Sequence, residues 1–213
     1  MPTYETPKPI AVTADVLSGN VTVIASDRAD TVVEVKPADP ARKDDVRAAS
    51  ETRVGFTDGV LSVTTSKGWR TYSPFGGKAS IEVRIEVPSG SRLKGAVALG
   101  RLLGAGDLGE CDLEVAAGDI LVESTSGSVT AKTAKGDIRI GEASHGVLRL
   151  ETSMGELEVG IRPGSAVRVD STTLHGHVQN LLQPVASTTD KDLVQVIAHN
   201  SYGNIIIHHA TAA

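Results

Sequence analysis

Apolar and polar residues alternate over most of this chain, the period-two pattern of strands with one buried face. Val21-Thr-Val23 and Val33-Glu-Val35 carry it early on, and the turn signals Ser18-Gly19-Asn20 and Asp27-Arg28 close those runs. The pattern resumes over 51–65, where Asp58-Gly59 reads as a hairpin turn. It returns over 80–87, where Ile81, Val83, Ile85 and Val87 alternate with Glu82, Arg84 and Glu86. One segment reads as a short, mostly polar helix, with Asp39 as N-cap, Pro40 at the first helical position and an end near residue 50.

Beyond residue 95 the alternation becomes a repeat. Gly118-Asp-Ile-Leu-Val, Gly127-Ser-Val-Thr-Ala, Gly136-Asp-Ile-Arg-Ile, Gly146-Val-Leu-Arg-Leu and Gly155-Glu-Leu-Glu-Val follow one another at nearly constant spacing. Alternate members, Gly118, Gly136 and Gly155, define a unit of two strands and two turns, which Gly176 and Gly203 continue after insertions. Positions two and four after the glycines are apolar (Ile120 and Val122, Ile138 and Ile140, Leu157 and Val159), so that face points inward. Glycine permits the positive φ that a sharp corner needs. Ser124, Thr133, Thr152, Thr173 and Asn200, each three residues ahead of a glycine, are placed to form a polar ladder if the units stack in register. A single unit cannot bury its own apolar face, so the units must stack as the coils of a β-solenoid, about 4.8 Å apart. A sandwich or barrel accounts for the strand spacing, but not for one sequence recurring at one register. The expected fold is all-β. Residues 1–92 form a β-rich N-terminal portion with the helix and an aromatic loop, and 93–213 form a solenoid of short Gly-Asp-Ile repeats, the two making one continuous unit. Ile161 to Asp170 breaks register, which predicts a bulge or a wider turn there.

Composition agrees with many strands and tight turns: 22 glycines and only 3% aromatics among 213 residues. A net charge of −5 supplies no basic field for nucleic acid. The lone Cys111 excludes an intramolecular disulfide. The first residues contain no apolar leader, and no stretch reaches the ~20 apolar residues of a membrane-spanning helix. A cytoplasmic location is therefore expected, with a surface location left open.

Three sets of residues carry a resemblance. Thr133 to Ile138 reads Thr-Ala-Lys-Gly-Asp-Ile and is echoed by Thr152-Ser-Met-Gly-Glu-Leu157. With the loop Lys67-Gly-Trp69 to Pro74-Phe-Gly-Gly77 and the stretch Leu108-Gly-Glu-Cys111, this resembles the bacterial putative adhesin family, β-strand-repeat domains of unknown function. The resemblance implies a right-handed β-helix-like fold and carries over no catalytic or binding residues.

Candidate chemistry is sparse. Asp119, Asp137 and Glu156 follow the repeat glycines and should form a column along one edge, with His177 and Asn204 next in line. Hard cations favour such oxygen clusters, but Asp after Gly is also a routine turn residue, and no metal is assigned. His175, His177, His199, His208 and His209 crowd the C-terminal region. His175 or His177 near His208 would suit zinc, and the alternative is a solvated surface. Trp69, Tyr72 and Phe75, flanked by Arg70, place half of the six aromatics in one short loop. Such a loop either binds a partner or covers an open end of the fold. No nucleophile elbow or phosphate-cradling loop is present, and Cys111 between Glu110 and Asp112 has an acidic setting that disfavours thiolate. The expected function is a non-enzymatic interaction or scaffold module with no cofactor. Its site is Trp69, Arg70, Tyr72 and Phe75, and its partner is a protein or glycan, with self-association possible. The competing class is a carbohydrate-active β-helix enzyme, a polysaccharide lyase or glycosidase.

Overall fold

The computed structural model describes residues 2–65, 79–182 and 193–210. The N-terminal elements are β1 (Thr3–Glu5), β2 (Ala11–Ser26), β3 (Asp30–Pro37), α1 (Lys43–Glu51), β4 (Arg53–Thr57), β5 (Val60–Thr64) and β6 (Ile81–Pro88). The stack continues through β7 (Arg92–Leu99), β8 (Leu102–Leu108), β9 (Cys111–Ala117), β10 (Ile120–Thr125), β11 (Val129–Lys135), β12 (Ile138–Ala143), β13 (Gly146–Met154) and β14 (Leu157–Ile161). Four more strands end it: β15 (Ala166–His175), β16 (Val178–Asn180), β17 (Leu193–Tyr202) and β18 (Ile205–His209).

β2 is one strand shared between two faces. Up to Ser18 it pairs in parallel with β7, and from Gly19, at φ 144°, it bends and pairs in parallel with β6 and β8. Each later coil repeats this path as two strands. β7, β9, β11 and β13 stack in parallel on one face, and β8, β10, β12 and β14 stack on the other. The described residues form an all-β, solenoid-like stack carrying one helix. Inward positions line up coil over coil, as in Ile120, Ile138, Leu157 and Ile205, all fully buried. What recurs is a corner glycine with an apolar residue two places on. Gly-Asp-Ile itself stands only at 118–120 and 136–138, while Gly100-Arg-Leu, Gly155-Glu-Leu and Gly203-Asn-Ile fill the same corner.

Sequence order fails at the C-terminal end. β17 pairs with both β13 and β15, and β18 pairs with both β14 and β16, so the coil built by 193–209 lies inside the coil built by 166–180. The corner series therefore runs Gly155, Gly203, Gly176, correcting the order 155, 176, 203 that position along the chain suggests. Apolar content explains the exchange. β17 and β18 bring Val194, Val196, Ala198, Ile205 and Ile207 inward, all fully buried, and each of the four valine and isoleucine side chains contributes roughly 1.5–3 kcal/mol on burial. β15 offers Val167, Val169, Ser171 and Thr173, which remain half-buried at the end of the stack. The irregular stretch after Ile161 is a tight turn at 162–165, where the Ser165 N–H donates to Arg162 O at 3.1 Å and the chain steps past the slot that β17 fills.

The N-terminal end is closed differently. β5 and β6 continue the two faces below β2, and then antiparallel strands take over, β4 on β5, β3 on β6 and β1 on β3. Asp58 (φ 51°) and Gly59 (φ 75°) form the tight turn between β4 and β5. Tyr4 of β1 and Phe56 of β4 meet with ring centroids 5.0 Å apart, joining the two faces across this end of the core. The helix begins later than its capping signal suggests. Asp39 Oδ1 accepts the Ala41 N–H at 2.9 Å and Asp39 O accepts the Arg42 N–H at 3.1 Å, so Asp39-Pro40 forms a turn and Arg42 is the N-cap, with no side-chain cap bond. The acid that matters is Asp45, which is buried and accepts the N–H groups of Asp39 and Ser80, both at 3.1 Å, tying α1 to the start of β6.

Candidate functional site

The corners hold the polar residues that the sequence singles out. A Cβ placed on Gly136 would strike the carbonyl of Gly118, and one on Gly118 would strike that of Gly100, so this column excludes side chains by space as well as by positive φ. Beside it the polar ladder forms. Thr133 Oγ1 donates to Gly118 O at 3.2 Å, Thr152 Oγ1 to Gly136 O at 3.1 Å, Asn200 Nδ2 to Gly155 O at 2.7 Å and Thr173 Oγ1 to Gly203 O at 3.2 Å. Ser124 stands on the opposite face and makes the analogous bond to Gly106 O at 2.8 Å.

The carboxylate column is also structural. Asp119 Oδ1 accepts the Asp137 N–H at 3.1 Å, Asp137 Oδ1 accepts the Glu156 N–H at 2.8 Å, and Asn204 Oδ1 accepts the His177 N–H at 3.1 Å. Each side chain thus satisfies a backbone donor of the neighbouring coil. The flanks are balanced in the same way by ion pairs between coils: Lys94–Asp112 at 3.2 Å, Arg101–Asp119 at 3.3 Å, Lys132–Glu151 at 3.1 Å and Arg139–Glu158 at 3.4 Å. Among the described residues, no three His, Cys, Asp or Glu side chains are grouped to hold a metal ion.

The histidines go separate ways. His175 stacks on Tyr202 with centroids 4.6 Å apart, whereas His208 reaches Glu158 at 3.2 Å and His209 O at 2.8 Å. The Cys111 thiol is buried, and burial, helped by the Glu110 charge, pushes its pKa up to about 12, which makes it an inert core residue. Trp69, Arg70, Tyr72 and Phe75 lie outside the described residues. The described residues that flank this segment in the chain, Thr65 and Ala79, line a shallow hollow with Leu17, Ala48, Glu51 and Ile81 where α1 meets the stack. Sequence reasoning missed the Tyr4–Phe56 closure and the His175–Tyr202 stack. Both pair residues far apart in the chain, and only the order of strands brings them together.

Exposed large apolar side chains divide between the ends. Val46 and Val60 are on the N-terminal elements, while Met154, Leu174, Val178, Leu181, Leu193 and Tyr202 are on the last three coils. Among the described residues, no helix is long and apolar enough to cross a membrane.

Solved structures that align with nearly the whole chain do so at low sequence identity. A putative cell adhesion protein from Clostridium sporogenes is 13% identical, covers 98% of each chain and gives a TM-score of 0.48. A putative adhesin from Bacteroides fragilis is 11% identical, covers 97% of this chain and 95% of its own, and gives 0.43. A putative lipid binding protein from Parabacteroides distasonis is 11% identical, covers 99% and 96%, and gives 0.31. No family model matches the chain, and no curated protein does.

Proposed function

We propose that the chain is a non-enzymatic interaction module of the adhesin type, wound as a right-handed coil, which binds a protein or a glycan through the segment bearing Trp69, Arg70, Tyr72 and Phe75. The observation that supports this reading is the engagement of the carboxylate column and of four cations beside it. Asp119 and Asp137 accept backbone N–H groups, and Lys94, Arg101, Lys132 and Arg139 are paired with carboxylates of adjacent coils. Groups held this way brace the coils and are poor general acids or bases. Recognition then falls to the aromatic segment, whose rings offer broad apolar faces at low entropic cost.

The test replaces Trp69 and Phe75 by alanine. The wild type and each variant are applied to immobilised glycans and to native extract, and their melting temperatures are compared. Loss of a bound partner with Tm unchanged within about 2 °C supports the reading. Retained binding with a lowered Tm would instead make the segment a cap, and release of reducing ends from any polysaccharide would replace the module with an enzyme.

A further inference from the structure

We infer that the C-terminal end of the stack is a self-association surface, on which β15 pairs antiparallel with β15 of a second copy about a two-fold axis. The inference does not rest on the aromatic segment. Among the described residues, β15 pairs with β17 alone, so one edge of a ten-residue strand is left without a partner strand. His175 O accepts the Gly203 N–H at 2.9 Å, which fixes the alternation: odd-numbered residues of β15 direct their backbone groups to β17. Arg168, Asp170 and Thr172 therefore turn their N–H and C=O groups outward. Their side chains are exposed, and neither Arg168 nor Asp170 is in an ion pair among the described residues, whereas Lys94, Arg101, Lys132 and Arg139 nearer the middle are paired from coil to coil.

Charge then selects the occupant and the register. In an antiparallel pair centred on Val169, Arg168 lies opposite the partner's Asp170 and Asp170 opposite the partner's Arg168. The even residues exchange the backbone hydrogen bonds, and the half-buried Val167 and Val169 gain cover on the inner face. Moving the centre to Asp170 would set two aspartates face to face. The strand is thus self-complementary in one register and self-repelling in the next, which suits an isologous contact between identical chains. Leu174, Val178 and Leu181, exposed on the same coil, add apolar surface beside the strand pair.

Sedimentation equilibrium of the full chain, up to about 200 µM to cover a weak interface, is the test. The wild type is expected to show a monomer–dimer equilibrium. R168D and D170R should each weaken it at least tenfold, and the double variant R168D/D170R, which restores opposite charges in exchanged positions, should return to within about threefold of wild type. Melting curves identify any variant that is misfolded, and the double variant stays informative if one single variant is. A wild type that remains monomeric across the range overturns the inference, as does a dimer indifferent to both charges or one the double variant fails to restore.

Discussion

The two ends of the stack solve one problem in opposite ways. A coil buries its inner face only against its neighbours, so the first and last coils would each leave core side chains exposed. At the N-terminal end strand direction changes: antiparallel β4, β3 and β1 follow the parallel coils, Tyr4 and Phe56 join the faces, and α1 is anchored through buried Asp45. At the C-terminal end nothing among the described residues changes direction. The chain instead places its most polar coil outermost and folds the more apolar β17–β18 coil beneath it. One end is closed by architecture and the other by composition, so the second should be the weaker and the more available to another chain.

The largest effect should come from the glycine column, read at its middle and at its end. Gly136→Ala forces a Cβ against the Gly118 carbonyl at a φ of 143°, with coils on both sides that cannot move away. A loss above about 4 kcal/mol, or failure to fold, is expected in chemical denaturation. Gly176→Ala meets the Gly203 carbonyl as closely, but without a positive φ and on the outermost coil. That coil can lift, so the loss should stay below about 2 kcal/mol and appear as faster amide exchange in β15 and β16 alone. Equal losses at both positions would mean that the terminal coil is as firmly held as the middle.

Next in size is the core beneath each end. Leu61 is fully buried under the antiparallel closure, and Leu61→Ala should cost about 2–5 kcal/mol. Val169 is half-buried on the outermost coil, and Val169→Ala should cost less than about 1 kcal/mol. Denaturant midpoints measured with the protein dilute enough to be monomeric give the ratio. Similar values would show that the C-terminal core is covered by something other than its own strands.

How much of this was legible in the sequence follows from the range of the interactions. The inward ladder through Ile120, Ile138, Leu157 and Ile205 could be read because stacking repeats the same local choice, and the Asp58-Gly59 hairpin because turn chemistry is local. The placement of β17–β18 inside β15–β16 could not, since both segments carry the corner glycine and the Thr or Asn three residues before it. Only their relative apolar content, Val196 and Ala198 against Val169 and Ser171, decides between the slots, and that is a competition rather than a motif. The helix starts later than Asp39 predicts because Asp39-Pro40 suits a β-turn as well as an N-terminus, and here the Asp39 side chain closes the turn while its N–H donates to Asp45. For the candidate site, the column Asp119, Asp137 and Glu156 was visible as a column, but its role was set by which backbone N–H groups lay within reach.

The smallest effect separates the ends by pH. Arg28 binds Asp30 at 2.9 Å and also Glu86, whose second partner is Arg84 at 3.0 Å, so the group ties the start of β3 to β6 at the N-terminal end. The hydrogen bond from Arg28 holds both the Asp30 and the Glu86 carboxyl below the usual carboxylate range. A carboxyl depressed in the folded state stabilises it above the unfolded value, near 4, and that contribution disappears as pH falls through the folded value. Acid should therefore loosen β3 against β6 before it affects the β15–β17 pairing, where Arg168 and Asp170 have no ion pair among the described residues to lose. Arg28→Met should lower Tm at pH 7 by no more than about 2 °C, as expected of a surface network, and the difference from wild type should narrow as pH falls through the folded-state values of these two carboxyls. Amide exchange followed from pH 7 to pH 3, corrected for the intrinsic rate, locates the change. Protection lost in β15 ahead of β3 would mean that acid opens the stack from its C-terminal end, and that the weaker closure there outweighs the loss of these pairs.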